Sequence, residues 1–134
     1  MLLFKDLKKN LKRDLSGLPE TKLALVGDTA TQFLATAIRG MGVERGYNIS
    51  LFEAEYNQVE RQFLDPTSEL YEFDADIIVV FQSTHKLGEH HSSLSQEQQA
   101  SLADDRLGFV ASISENPRLA NKKIIYFNYF TFFV

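Results

Sequence analysis

Gly27-Asp28-Thr29 stands where the apolar run Leu23 to Val26 gives way to Ala30-Thr31-Gln32-Phe33-Leu34. A glycine there lets a strand turn tightly into a helix, and free amides at a helix N-terminus can meet an anion or an oxyanion. Asp28 and Thr29 are therefore the candidate catalytic residues, with Thr29 offering a hydroxyl nucleophile. Its β-methyl hinders that hydroxyl, which would need an adjacent base to attack an ester. Thr29 and Gln32 also spell T-x-x-Q, a capping box that would give both a structural job.

Further polar groups follow the other apolar runs. Glu53 to Asn57 follows Ile49 to Phe52, Gln82-Ser83-Thr84-His85 follows Ile77 to Phe81, and Asn128 follows Ile124 to Phe127. The expected substrate-binding set is Gly27, Asp28, Thr29, Gln82, Ser83, Thr84 and Asn128. His85, His90 and His91 give H-x4-H-H, which matches no zinc-ribbon or helical metal spacing, and the chain has no cysteine. These histidines read as surface-loop residues, and no metal site is expected in this chain.

The elements that must position these groups follow from periodicity. Leu23 to Val26, Ile49 to Phe52, Ile77 to Phe81 and Ile124 to Phe127 each read as a strand. The first, third and fourth are continuously apolar, which predicts central strands covered on both faces, as in parallel sheets. Thr31 to Met41 puts Phe33, Leu34, Ala37, Ile38 and Met41 on one helical face, with Gly40, Gly42 and Gly46 ending the helix. Further helices are predicted around Tyr56 to Leu64, over Glu69 to Phe73, and from the Ser95/Gln98 capping box toward Ile113. Leu3, Leu7, Leu11 and Leu15 make residues 1–20 an N-terminal amphipathic helix that Gly17 and Pro19 stop.

This alternation is that of an α/β fold with a three-layer open, mostly parallel sheet and right-handed crossovers. Ligands then bind outside the C-terminal ends of the strands. Asp74 and Asp76 precede the third strand, so they belong to the opposite edge.

Composition narrows the function classes. A chain of 134 residues fits one domain, and no apolar run approaches the roughly 20 residues of a membrane span. The N-terminus lacks the apolar core of a signal peptide, so a cytoplasmic location is expected. Five basic against two acidic side chains give residues 1–16 a charge of +3, leaving −7 on the remainder for a net of −4. An acidic body argues against a nucleic-acid surface. Neither G-x-G-x-x-G nor G-x4-G-K-[ST] occurs, and G-D-T-A-T is poor in the hydroxyls and glycines of a flavin phosphate loop.

G-D-T at Gly27 to Thr29 resembles the first block of the SGNH hydrolases, G-D-S, whose serine is the nucleophile. A longer set is more specific: G-D-T-A-T-Q-F-L, F-E-A-E-Y-N-Q-V-E at Phe52 to Glu60, D-P-T-S-E-L-Y-E-F at Asp65 to Phe73, and I-I-V-V-F-Q-S-T-H-K-L at Ile77 to Leu87. Together these resemble the N-terminal SGNH-like domain of FkbH-like proteins, over about Leu23 to Tyr129. In that family a phosphatase-like domain of the haloacid dehalogenase (HAD) superfamily, subfamily IIIC, follows. The resemblance implies loading of a glyceryl unit from a phosphorylated three-carbon donor onto an acyl carrier protein.

The departures matter. The D-x-x-H block of SGNH hydrolases is missing, and Gln82-Ser83-Thr84-His85 replaces their G-x-N-D, removing the usual asparagine oxyanion donor. Asp74-Ala75-Asp76-Ile77-Ile78 imitates the HAD motif D-x-D-x-[TV], but on the wrong side of its strand. The expectation is an SGNH-like domain over residues 21–134, truncated at its C-terminus, without the HAD domain and without catalysis of its own. Magnesium would belong to that HAD domain, and the partners would be that domain or an acyl carrier protein. The alternatives are an esterase or acyltransferase using Thr29, and a module self-associating through Phe130, Phe132, Phe133 and Val134.

Overall fold

Each of the four apolar runs forms a strand, and all pair in parallel in the order β2-β1-β3-β4. The computed structural model describes residues 1–127 and 129. Its strands are β1 Glu20–Gly27, β2 Asn48–Glu53, β3 Ile77–Phe81 and β4 Lys123–Tyr126. Its helices are α1 Phe4–Asn10, α2 Gln32–Glu44, α3 Val59–Leu64, α4 Glu69–Phe73, α5 Thr84–Ser93 and α6 Gln96–Glu115, with a 3₁₀ turn at Pro117–Leu119. This is the expected α/β open sheet with helices on both sides.

Alternation along each strand splits the core in two. Leu23 and Leu25 of β1 join Val79 of β3 and Ala35 of α2 on one face. Ala24 and Val26, with Ile78 and Val80, meet Val59 and Phe63 of α3, Leu70 of α4, and Phe109 and Ile113 of α6 on the other. Leu25 and Val26 are fully buried, each gaining roughly 1.5–3 kcal/mol relative to exposure.

The fourth strand departs from expectation. Among the described residues β4 pairs only with β3 and forms an edge. Ile124 and Tyr126 pack on the α6 side, while Ile125 on the other is 44% exposed.

Glycine decides where α2 runs. Gly40 and Gly42 lie inside the helix, not at its end, because neighbours crowd them: a Cβ on Gly40 would stand 2.4 Å from the Leu7 carbonyl oxygen, and one on Gly42 2.4 Å from Ile49 Cγ1. Gly46, at φ +84°, supplies the left-handed turn that follows. The buried face of α2 is Ala35, Gly40, Gly42 and Val43. Phe33 is 78% exposed and meets the ring of Phe4 edge-on, centroids 5.7 Å apart.

The N-terminal helix is shorter than the leucine spacing predicts. It ends at Asn10, whose side chain donates to the Gly40 carbonyl (3.1 Å) and to Glu44 (2.9 Å). Asp14 then accepts from the Ser16 amide and hydroxyl, a local turn that competes with helix. Leu7 is the leucine it buries.

The Asp65 to Phe73 motif is a folding device. Gln62, almost wholly buried, accepts from the Leu70 amide at 3.0 Å and donates to Glu69 at 2.9 Å. Ser68 donates to the Gln62 carbonyl at 2.6 Å, and Tyr71 to the Phe63 carbonyl at 2.6 Å. Two short helices thus satisfy each other's end groups directly.

Asp74 and Asp76 do stand at the N-terminal edge of the sheet. Asp76 accepts from the Lys22 amide at 2.9 Å and pairs with Lys22 again through its own backbone, while Asp74, in the left-handed region at φ 53°, binds Lys122. They lock strand starts together.

Candidate functional site

The C-terminal ends of β1 and β3 are laced together. The Asp28 amide donates to the Phe81 carbonyl at 3.1 Å, and the Ser83 amide donates to both Asp28 carboxylate oxygens at 3.0 and 2.9 Å. Gly27 is needed for closeness, since a Cβ there would stand 2.9 Å from Thr31 Cγ2 and 3.3 Å from the Phe81 carbonyl oxygen. Ser83 is also the N-cap of α5, its hydroxyl accepting from the Lys86 amide at 3.1 Å.

Burial pushes the Asp28 carboxyl above the usual aspartate range, against opposing hydrogen bonds from Ser83 and the charge of Lys86. It lines a cavity of about 180 Å³ with Glu60, Gln82, Lys86, Arg106 and Tyr129. Gln82 is 8% exposed, and its carbonyl oxygen accepts from the Tyr126 hydroxyl and, at 3.5 Å, from Tyr129. Burial, then the neighbouring Tyr129, pushes Tyr126 up to about 12; burial also raises Tyr129. Both phenols are therefore hydrogen-bond donors at neutral pH, not bases.

Arg106, from α6, donates to Glu60 at 2.7 Å. Its Nε is buried without a partner among the described residues. Beyond Arg106 the cavity opens into an apolar groove of about 700 Å³ between α5, α6 and β4, lined by Leu87, Leu102, Leu107, Val110 and Phe127.

The expected site is thus divided. Gly27, Asp28, Gln82 and Ser83 come together, while Thr29 lines a different pocket of about 390 Å³ with Gln32, Glu53, Glu55 and Tyr56. Thr84 opens α5 and lines a third depression with His85. Asn128 and the apolar residues Phe130, Phe132, Phe133 and Val134 lie outside the described residues.

The T-x-x-Q capping box does not form. The N-cap of α2 is Thr31, without a side-chain cap, because its hydroxyl donates instead to Glu53 at 2.7 Å. Thr29 precedes the N-cap by two residues, out of capping register. No histidine lines its pocket. His85, His90 and His91 lie on α5, where a loop was expected; the Ser83 cap starts a helix whose exposed face they occupy, His85 at 3.0 Å from Glu89. No three His, Cys, Asp or Glu side chains among the described residues converge to hold a metal ion.

Glu60, Arg106, Tyr126 and Tyr129 were not legible as site residues. Arg106 and Glu60 are 46 residues apart and belong to no local motif. A cation on the otherwise half-apolar stretch of α6 was the available signal.

A parallel open sheet with helices on both sides and a polar cleft at its C-terminal rim defines a doubly wound α/β domain. Residues 22–132 match the FkbH N-terminal domain, and the chain belongs to that family. It is also similar to a solved structure, the N-terminal part of the protein BF1531 from Bacteroides fragilis, containing a phosphatase domain and complexed with Mg. The two share 53% identity at a TM-score of 0.91, over 96% of this chain and 34% of that one. The chain thus spans about a third of that relative. No curated protein matches it. No helix among the described residues is long and apolar enough to cross a membrane.

Proposed function

We propose that this chain is the SGNH-like recognition domain of an FkbH-like protein and carries no catalysis of its own. Its C-terminal rim engages the substrate or acyl carrier protein while a HAD-type phosphatase domain loads a glyceryl unit from a phosphorylated three-carbon donor. Family membership supports the setting, and the relative's phosphatase domain supports the division of labour.

The observation that carries the binding role is the fate of the three hydroxyls at the rim. Thr29 has no histidine in its pocket, and the two carboxylates there accept from Thr31 and Gln58; Thr31 is thus spent on Glu53, and Ser83 caps α5. What remains at the rim is a built array of donors and acceptors around Asp28 and Gln82. Such an array orients a ligand without a nucleophile–base pair to cleave it.

Magnesium belongs, in this reading, to the phosphatase domain. Asp74 and Asp76 do not fit it: Lys122 and the Lys22 amide engage them at the far edge of the sheet. A cytoplasmic location and the absence of nucleic-acid or membrane partners complete the proposal.

The test is a titration of the isotopically labelled chain with the acyl carrier protein, followed by amide chemical shifts. Shifts are expected at Asp28, Ser83 to Lys86 and Arg106. Shifts confined to α1, or none at saturating carrier, would sink the carrier reading.

A further inference from the structure

The small cavity at Gln82 and the apolar groove are one space, since Leu87, Arg106 and Tyr129 line both. Three observations fix what could occupy it. The first is Gln82 itself: two tyrosine hydroxyls hold its carbonyl oxygen, while its Nε2 makes no hydrogen bond among the described residues. A held amide with a free N–H is a fixed donor for one oxygen acceptor. The structure thereby supplies, from a glutamine, the kind of donor that the missing asparagine block would have provided.

The second observation is charge. Among the described residues both permanent cations at the cavity are already matched: Arg106 by Glu60 at 2.7 Å and Lys86 by Glu89 at 3.2 Å. Asp28 adds a further carboxylate, held by an amide and not by a cation. A ligand bringing its own negative charge would meet surplus acid and no unpaired lysine or arginine.

The third is the groove. Leu107 is 67% exposed, and with Leu87, Leu102, Val110 and Phe127 it forms an apolar track leading away from Gln82. Aliphatic surface laid there would lose water on both sides.

We propose that this cleft binds an uncharged carbonyl compound with an aliphatic tail, an amide or ester-like acyl group whose oxygen accepts from Gln82 Nε2 and whose tail lies along α6. The proposal rests on the C-terminal rim being a recognition site, and it adds the chemistry of what is recognised and the residue that selects it.

The probes are octanamide and octanoate, which differ in head-group charge and share a tail. Binding is measured at pH 8 by chemical-shift titration of the full chain. Octanamide should bind at least tenfold tighter than octanoate. Leu107→Glu, on an exposed helix face that leaves the core intact, should weaken octanamide about tenfold or more, and Gln82→Met should do the same by removing the donor.

Equal or tighter octanoate binding overturns the proposal, as does unchanged octanamide binding in Leu107→Glu. So does a groove closed by a second copy of the chain, seen as a dimer that Leu107→Glu dissolves and that excludes octanamide. No carrier is present in this experiment. A chain that binds octanamide but ignores the carrier would keep this inference and sink the carrier reading alone.

Discussion

Both oxygens of the Asp28 carboxylate receive the backbone N–H of Ser83, at 3.0 and 2.9 Å, tying the end of β1 to the start of α5 across 55 residues of sequence. The aspartate of the G-D-T turn is therefore a clamp on the neighbouring loop. It fixes the residue after Gln82, and so the direction from which Gln82 enters the cavity. The same bonds place a negative charge at the N-terminus of a helix, where it is favoured.

Removing this clamp should loosen the rim without dismantling the sheet. Asp28→Ala is expected to cost about 1–3 kcal/mol, the range for a hydrogen bond to a charged group that leaves a polar partner unmatched. Urea unfolding measures it. A loss below about 0.5 kcal/mol would show that water replaces the carboxylate freely.

The protonation of Asp28 gives a second expectation. Its folded pKa is raised, so the folded state holds this proton more tightly than the unfolded chain does. The stabilisation is fully present below the unfolded aspartate value and is lost as pH rises through the folded value. Asp28→Asn should remove this component. Stability of the wild type relative to the mutant should then fall from about pH 4 upward, in paired denaturation curves. A difference that grows in the other direction would contradict the assignment of burial as the dominant cause.

Gln62 should be among the polar side chains least tolerant of change. Gln62→Leu keeps the volume but strands the Leu70 amide, which is buried with it. A loss of about 1–3 kcal/mol is expected from the unmatched donor. Gln62→Glu, which retains an acceptor for that amide, should lose the bond to Glu69 and place two carboxylates together. It should be less stable at pH 8 than at pH 5.

What the sequence disclosed divides along local and distant causes. The four strands and the Ser95/Gln98 cap were legible because a run of apolar residues or a four-residue box carries its own reason. The start of α2 was not, because Thr31 answers to Glu53, 22 residues away, and not to its own helix. Gly40 and Gly42 read as helix breakers because the helices and strands that crowd them are invisible in one dimension. Asp28 was legible as a rim residue from the strand-to-helix turn. Its Ser83 partner, and the Arg106 and tyrosine contributions to the cavity, depend on β3, β4 and α6 arriving at the same place.

Thr29 offers a direct check on catalysis. Since no histidine lines its pocket and its hydroxyl is outside the capping register, Thr29→Ala should change folding stability by no more than about 0.5 kcal/mol, as for ordinary surface positions. Any slow hydrolysis of small chromogenic esters should be the same in the mutant. Thr31→Ala is expected to differ, costing about 1 kcal/mol through the lost bond to Glu53. A large drop in ester turnover in Thr29→Ala alone would restore the nucleophile that the geometry disfavours.

Two glycine substitutions should move stability in opposite directions. Gly40 and Gly88 both sit inside helices, and replacing glycine with alanine there favours the helix by roughly 0.5–1 kcal/mol where space permits. At Gly88 nothing lies within 4 Å of the added methyl, so Gly88→Ala should stabilise by about that amount. At Gly40 the methyl would stand 2.4 Å from the Leu7 carbonyl oxygen and 2.7 Å from Leu7 Cβ. Backbone cannot swing aside as a side chain can, so α1 must shift away from α2, at a cost of about 1–3 kcal/mol. That shift would also carry Asn10 away from the Gly40 carbonyl and from Glu44. Hydrogen exchange should therefore show α1 opening in Gly40→Ala while the amides of β1 and β3 stay protected. Protection lost uniformly across the sheet would mean instead that α1 is part of the cooperative core.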